Sequence, residues 1–175
     1  MQRILIIRHA EKPAHGSDEQ AIDEQGRADP AALSVRGWQR AGALVTFFAP
    51  RAHAQLDPRI AKPTALFAAR SHARSRRPVL TLTPLADALG LPVQADWEAG
   101  RDEAEVLRHA VAANGTALIC WRHESIHRFG PHLGVPQTLD HAWGEACYDS
   151  VWLFARDGDG WKWAVGRQSL LAGDA

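Results

Sequence analysis

Ile4-Leu5-Ile6-Ile7 is apolar without a polar break, and Arg8 and His9 follow it directly. A strand with one wet face alternates apolar and polar side chains, so a run with no alternation needs cover on both faces. Ala65-Leu66-Phe67-Ala68 and Ala117-Leu118-Ile119-Cys120-Trp121 have the same character. Stretches with helical spacing separate these runs. Ser34 caps one whose apolar residues are Trp38, Ala41, Leu44, Val45 and Phe48, ending before Pro50. Thr83-Pro84 reads as a cap followed by proline at the first helical position, with Gly90 as the stop. Residues 102–113 carry Val106, Leu107, Ala110 and Val111 ahead of Asn114-Gly115. Residues 125–133 carry Ile126, Phe129 and Leu133, with Pro131 placed to truncate the helix. Strands alternating with helices predict an α/β fold, a three-layer sandwich with a mainly parallel central sheet flanked by helices. Ser150-Val151-Trp152-Leu153-Phe154 and Trp161-Lys162-Trp163-Ala164-Val165, joined by Asp157-Gly158-Asp159-Gly160, predict a C-terminal hairpin.

The chain has 175 residues, which suits one domain spanning 1–175 and a core large enough to need no metal or disulfide staple. Two cysteines, Cys120 and Cys147, exclude a disulfide-dense scaffold and a four-cysteine zinc site. Cys120 reads as a buried strand residue. No apolar run approaches the ~18 residues of a membrane span. The first run is also too short for a signal peptide, so a cytoplasmic protein with reduced thiols is expected. Residues 13–30 are polar and read as a long surface loop.

In open α/β sheets, ligands lie beyond the carboxyl ends of the strands. Arg8-His9-Ala10-Glu11-Lys12 follows the first run, and Arg122-His123-Glu124-Ser125 follows the third. Beyond the second come Arg70, His72, Arg74, Arg76 and Arg77. Histidines and arginines gathered at one sheet edge suit an anion, because guanidinium forks match phosphate oxygens. A neutral imidazole can attack phosphorus, and a second can stabilise the transferring group.

These residues carry a resemblance. Arg8-His9 directly after an N-terminal strand resembles the signature of the histidine phosphatase superfamily, also called phosphoglycerate mutase-like. Leu33-Ser34-Val35-Arg36-Gly37-Trp38-Gln39-Arg40-Ala41 is similar to that family's helix after the first loop. Arg77 followed four residues later by Thr81 is similar to its second arginine, and Leu118-Ile119-Cys120-Trp121-Arg122-His123 to the strand that delivers its second histidine. The resemblance implies that His9 forms a phosphohistidine. It implies that Arg8, Arg77 and His123 hold the phosphoryl group, and that a carboxylic acid protonates the leaving oxygen. It implies no metal and no cofactor. Glu11 and Lys12 are expected near the mouth, in reach of substrate, and Arg74 is expected to contact substrate or to stand in for Arg77.

The chain also departs from the family pattern. Ala10 and Glu124 stand where glycine often follows the two histidines. One branch of the superfamily carries its acid directly after the second histidine, which makes Glu124 the first choice. In the other branch the acid follows the second arginine, where Glu98, Asp102 and Glu103 are the alternatives. The expected activity is metal-independent hydrolysis of a phosphomonoester or a phosphoprotein. The alternatives are a phosphoglycerate-type mutase and a non-catalytic phospho-ligand-binding module. Twenty basic residues balance twenty acidic ones, and no aromatics interleave with the arginines, which argues against a nucleic-acid partner. The tryptophans are expected in the core, with Trp121 and Trp143 the two placed to wall a pocket. His127, His132 and His141 lack the spacing of a metal motif.

Overall fold

The computed structural model describes residues 1–50, 59–134, 143–144 and 146–174. The elements run β1 (Arg3–Arg8), α1 (Val35–Phe48), β2 (Ala65–Ala69), α2 (Arg77–Leu89), β3 (Val93–Trp97), α3 (Glu103–Ala112), β4 (Thr116–Trp121), α4 (His123–Ile126), a 3₁₀ turn (His127–Phe129), α5 (Gly130–Leu133), β5 (Ser150–Asp157) and β6 (Gly160–Arg167). They form one six-stranded sheet in the order β3-β2-β4-β1-β5-β6. β1 runs parallel to β4, and β2 runs parallel to both β4 and β3. β5 lies antiparallel to β1, and β6 closes the predicted hairpin on β5.

The unbroken runs are covered on both faces, as expected. Ile4 and Ile6 pack on one side with Phe67, Val106, Ile119 and Phe129. Leu5 and Ile7 pack on the other with Leu44, Phe48, Leu82 and Leu118. α3 through α5 therefore cover one face, and α1 and α2 the other. That is the three-layer α/β sandwich predicted from the alternation of runs and helices.

Two local expectations are corrected. α2 begins at Arg77, not at Thr83, and the proline in its first turn is Pro78. Pro84 sits inside the helix, where it supplies no N–H, and Thr83 Oγ1 donates to the Val79 carbonyl one turn back at 3.1 Å. The buried stripe Leu82, Leu85 and Ala86 carries the helix across the proline. Gly90 does end it, at φ 65°. The helix expected over 125–133 is instead three short pieces beginning at His123. Pro131 lies in the first turn of the last of them.

β3 has no counterpart in the sequence reading. It is an edge strand whose side chains alternate half-buried and exposed before the buried Trp97, so it shows no apolar run. Residues 13–30 do form a surface loop, anchored by bridges from Ile22 to Ala28 and Leu33. Among the described residues, no helix is long and apolar enough to cross a membrane.

Candidate active site

β1 and β4 are parallel neighbours in register, with Arg8 opposite Trp121. The ladder continues one step further, where the His9 N–H donates to the Trp121 carbonyl at 3.0 Å. The two Arg-His pairs thus leave the sheet side by side. Buried neighbouring strands on both sides, β2 beside β4 and β5 beside β1, hold that juxtaposition.

The turn after β1 is held from two directions. The Ala10 N–H donates to Thr81 Oγ1 at 2.8 Å, and Thr81 donates to the Arg77 carbonyl at 2.8 Å. One buried hydroxyl so ties the His9 turn to the first turn of α2. On the other side, the Ser34 N–H and Oγ both donate to the Glu11 carbonyl, at 3.0 and 3.3 Å. Gly37 lies so close there that a Cβ would overlap the Glu11 carbonyl oxygen. The Leu-Ser-x-x-Gly spacing is therefore the contact surface of α1 on this turn.

His9 is buried, and its Nδ1 lies 2.7 Å from the Ala10 carbonyl oxygen. A carbonyl only accepts, so Nδ1 carries the proton and Nε2 keeps the lone pair. Burial, then Arg8, Arg77 and His123, push the imidazole down to about 3, against the opposing pull of the Ala10 carbonyl. His9 is neutral at physiological pH. The His123 ring stands 6.5 Å from it, centroid to centroid, at 78°. His123 Nδ1 lies 3.3 Å from Glu124 Oε2.

His9, His123, Glu124, Arg77, Arg74 and Lys12 share a cavity of about 280 Å³ with Arg122, His72 and Ser75. Burial opposes charge on Glu124, but its own backbone N–H, His123, Arg122 and Arg8 outweigh that and hold its carboxyl below the ordinary value. Arg77 donates from Nε to the Ala32 carbonyl at 2.9 Å and from Nη2 to the Pro30 carbonyl at 2.7 Å, which fixes its fork at the cavity wall.

Two predicted residues sit elsewhere. Arg8 is fully buried behind the cavity wall, with Nη1 donating to the Gly144 and Cys147 carbonyls, both at 3.1 Å. Its guanidinium lies 3.8 Å from the Tyr148 ring centre. It acts on His9 and Glu124 through its charge rather than as a wall of the cavity. Glu11 is taken by Arg40, at 2.7 Å, and by Arg36, at 3.3 Å. Its neighbour Lys12 borders both the small cavity and a larger one of about 940 Å³ near Tyr148 and Cys147.

The alternative acids do not line the small cavity. Glu103 is buried and accepts from Trp121 Nε1 at 2.9 Å and the Gly100 N–H at 2.5 Å. Asp102 accepts from the Glu98 N–H at 2.8 Å, and Glu98 itself is exposed. The arginine cluster is likewise sorted. Arg70 donates to the Asp96 carbonyl, and Arg76 pairs with Glu24 at 2.7 Å and Asp29 at 2.9 Å. Arg122 and His72 are cavity residues that the sequence reading left without a role. The signal for Arg122 was present in the repeat of Arg-His after two paired strands.

The remaining expectations concern packing. Trp121 and Trp143 are core residues, packed edge-to-face against Phe129 and Trp152. Burial raises the Cys120 thiol far above its ordinary value, in keeping with an inert strand residue. His127 and His132 are exposed, and His141 lies outside the described residues.

No family model matches the sequence, and no curated protein matches it. Solved structures do match the fold over nearly the whole chain. A variant of phosphoserine phosphatase from Entamoeba histolytica, in complex with phosphoserine, superposes with a TM-score of 0.60 at 12% identity, covering 97% of this chain and 98% of that one. A mycobacterial glucosyl-3-phosphoglycerate phosphatase with VO3 has a TM-score of 0.58 at 14% identity, covering 95% and 98%. A phosphohistidine phosphatase candidate, SixA, from Agrobacterium tumefaciens has a TM-score of 0.57 at 14% identity, covering 93% and 96%. The fold is thus the one that these phosphatase structures share.

Proposed function

We propose that this chain is a phosphohydrolase of the histidine phosphatase type, with His9 as nucleophile and Glu124 as the proton carrier. The observation that carries the reading is a neutral His9, its Nδ1–H held by the Ala10 carbonyl, at the wall of a cavity it shares with His123, Glu124 and Arg77. Phosphoserine and VO3 bound in two structures of this fold support a phosphoryl ligand.

Nε2 of His9 attacks phosphorus, and the bond from phosphorus to the leaving oxygen breaks. The N-phosphorylated ring keeps its Nδ1–H on the Ala10 carbonyl, which stabilises the positive charge that forms. Arg77 and His123 face the equatorial oxygens, where the transition-state charge is spread. Arg8 adds a fixed positive charge from behind. The charge that a metal ion would bring is supplied by these side chains.

Glu124 is ionised while the cavity is empty. A phosphate dianion offsets the field of His123, Arg122 and Arg8, which raises the Glu124 carboxyl so that it binds a proton. It gives that proton to the leaving oxygen. As a carboxylate again, it takes a proton from the water that attacks phosphohistidine, the phosphorus–nitrogen bond breaks, and Nε2 recovers its lone pair.

The test is hydrolysis of p-nitrophenyl phosphate in the presence of a chelator, by the natural chain and by His9→Ala. Turnover that falls on the order of 10³-fold or more in the variant, with an acid-labile phosphoenzyme trapped only on the natural chain, is the expected result. Equal turnover in both would remove His9 as the nucleophile.

A further inference from the structure

The proposed chemistry leaves part of the cavity without a task. Among the described residues, Lys12, Arg74, Arg77 and Arg122 line it against a single carboxylate, Glu124. One phosphoryl dianion does not balance that field. Neither Lys12 nor the Arg74 guanidinium forms a hydrogen bond or ion pair with the described residues. Arg122 reaches Glu124 only at 3.7 Å. After burial and the opposing Tyr148, Arg122 is the next influence on Arg77 and lowers its pKa, so these cations crowd one another.

The geometry at His72 is more specific. His72 and Ser75 exchange backbone hydrogen bonds, both at 3.0 Å, which fixes a tight turn. Within that turn the Arg74 N–H donates to His72 Nδ1 at 3.3 Å. A neutral imidazole accepts at one nitrogen only, so Nε2 then carries the hydrogen. Yet Nε2 faces Arg122 Nη1, another donor, at 3.4 Å. Two donors converge on each other with no acceptor between them among the described residues. An anion oxygen seated there would satisfy both.

We infer that His72, Arg74 and Arg122 form a second-anion subsite, so that the substrate carries a carboxylate or a second phosphate beside the phosphoryl group it loses. The inference rests on the phosphatase reading for what happens to the first group, but not for binding of the second. The cavity, at about 280 Å³, falls just under the ~300–1,000 Å³ of drug-sized pockets and suits a small ligand with two charged ends. Charge-assisted hydrogen bonds to the second end contribute enough for about a tenfold gain in affinity.

Calorimetric titration of the full chain with methylphosphonate, phosphonoacetate and methylenediphosphonate tests this without turnover. Phosphonoacetate or methylenediphosphonate is expected to bind about tenfold more tightly than methylphosphonate. Whichever of the two binds more tightly identifies the second group as carboxylate or phosphate. Arg74→Gln and Arg122→Gln are expected to bring the ratio toward one. Arg74 is exposed at a turn, so its variant alone carries the test if Arg122→Gln does not fold. Equal affinity for all three in the natural chain, or a preference that survives Arg74→Gln, overturns the subsite. His9-dependent hydrolysis with no such preference removes the subsite and leaves the phosphatase standing. A preference without hydrolysis keeps the subsite and removes the phosphatase.

Discussion

Arg40 and Arg122 sit at the two ends of the same β1 turn's surroundings, yet their electrostatic settings are opposite. Arg40 is buried and fully compensated. It donates from Nε to both oxygens of Glu11 at 3.0 Å and from Nη2 to Asp174 at 2.6 Å, and Gln168 accepts from Nη1 at 3.1 Å. Burial alone would lower its pKa, but Asp174 and Glu11 outweigh that and raise it. Arg122 instead stands among Arg77, Arg74 and Lys12 with one partly exposed carboxylate nearby among the described residues. A buried charge needs partners to be tolerated, whereas a charge left short of partners is available to a ligand. The first arrangement pins the residues near the C-terminus to the turn that carries His9. The second is the arrangement proposed to bind anions.

Replacing an arginine in each region separates the two roles. Arg40→Ala leaves Glu11 and Asp174 with only the partly exposed Arg36, at 3.3 and 3.6 Å, as a cation among the described residues, and should destabilise the chain by about 3 kcal/mol in denaturant unfolding. Arg74→Ala at its exposed turn should change stability by less than about 0.5 kcal/mol. Comparable losses in the two variants would mean that the regions differ in position but not in kind.

Glu124→Gln removes the proposed proton carrier and keeps the shape. Turnover should fall about 10²-fold or more on alkyl phosphates, which need a protonated leaving oxygen, and far less on activated aryl phosphates. An equal loss on both classes would reassign Glu124 to electrostatics alone.

The smallest effect is a pH dependence at the compensated end. Burial opposes the charge on Asp174, but hydrogen bonds from Arg40 and from the Leu171 and Leu170 N–H groups lower its carboxyl from 3.8 to about 2. A carboxyl depressed in the folded state stabilises the fold above its unfolded pKa and loses that contribution as pH falls through the folded value. Unfolding free energy should therefore drop by roughly 2 kcal/mol between about pH 5 and pH 1 on account of this group. Asp174→Asn should lack that component when unfolding is followed across the same range. A variant with an unchanged acid profile would show that the pairing with Arg40 contributes little.

Much of the sandwich was legible because burial on both faces writes itself as unbroken apolar runs, as in β1 and β4. β3 was not, since an edge strand half open to water needs no such run. The start of α2 was misread for a related reason. Thr83-Pro84 satisfies the local grammar of a helix start, but the buried stripe on α2 outweighs the one hydrogen bond that Pro84 cannot make. His9 and His123 were legible from their place after buried strands. Arg77 came from the family resemblance, through Thr81 four residues on, whose hydroxyl does link that turn to Ala10.

The amino-acid sequence by itself determined the layers and the sheet edge at which histidines and arginines gather, because strand burial and helix periodicity are local patterns that survive in one dimension. Only the tertiary structure decided which charges cancel. Glu11 lies two residues from His9 in the chain, yet it belongs to Arg40, while Glu24 and Asp29 reach across the loop to claim Arg76. Pairing of charges depends on distances of a few ångströms between residues far apart in sequence, and no pattern along the chain encodes those distances.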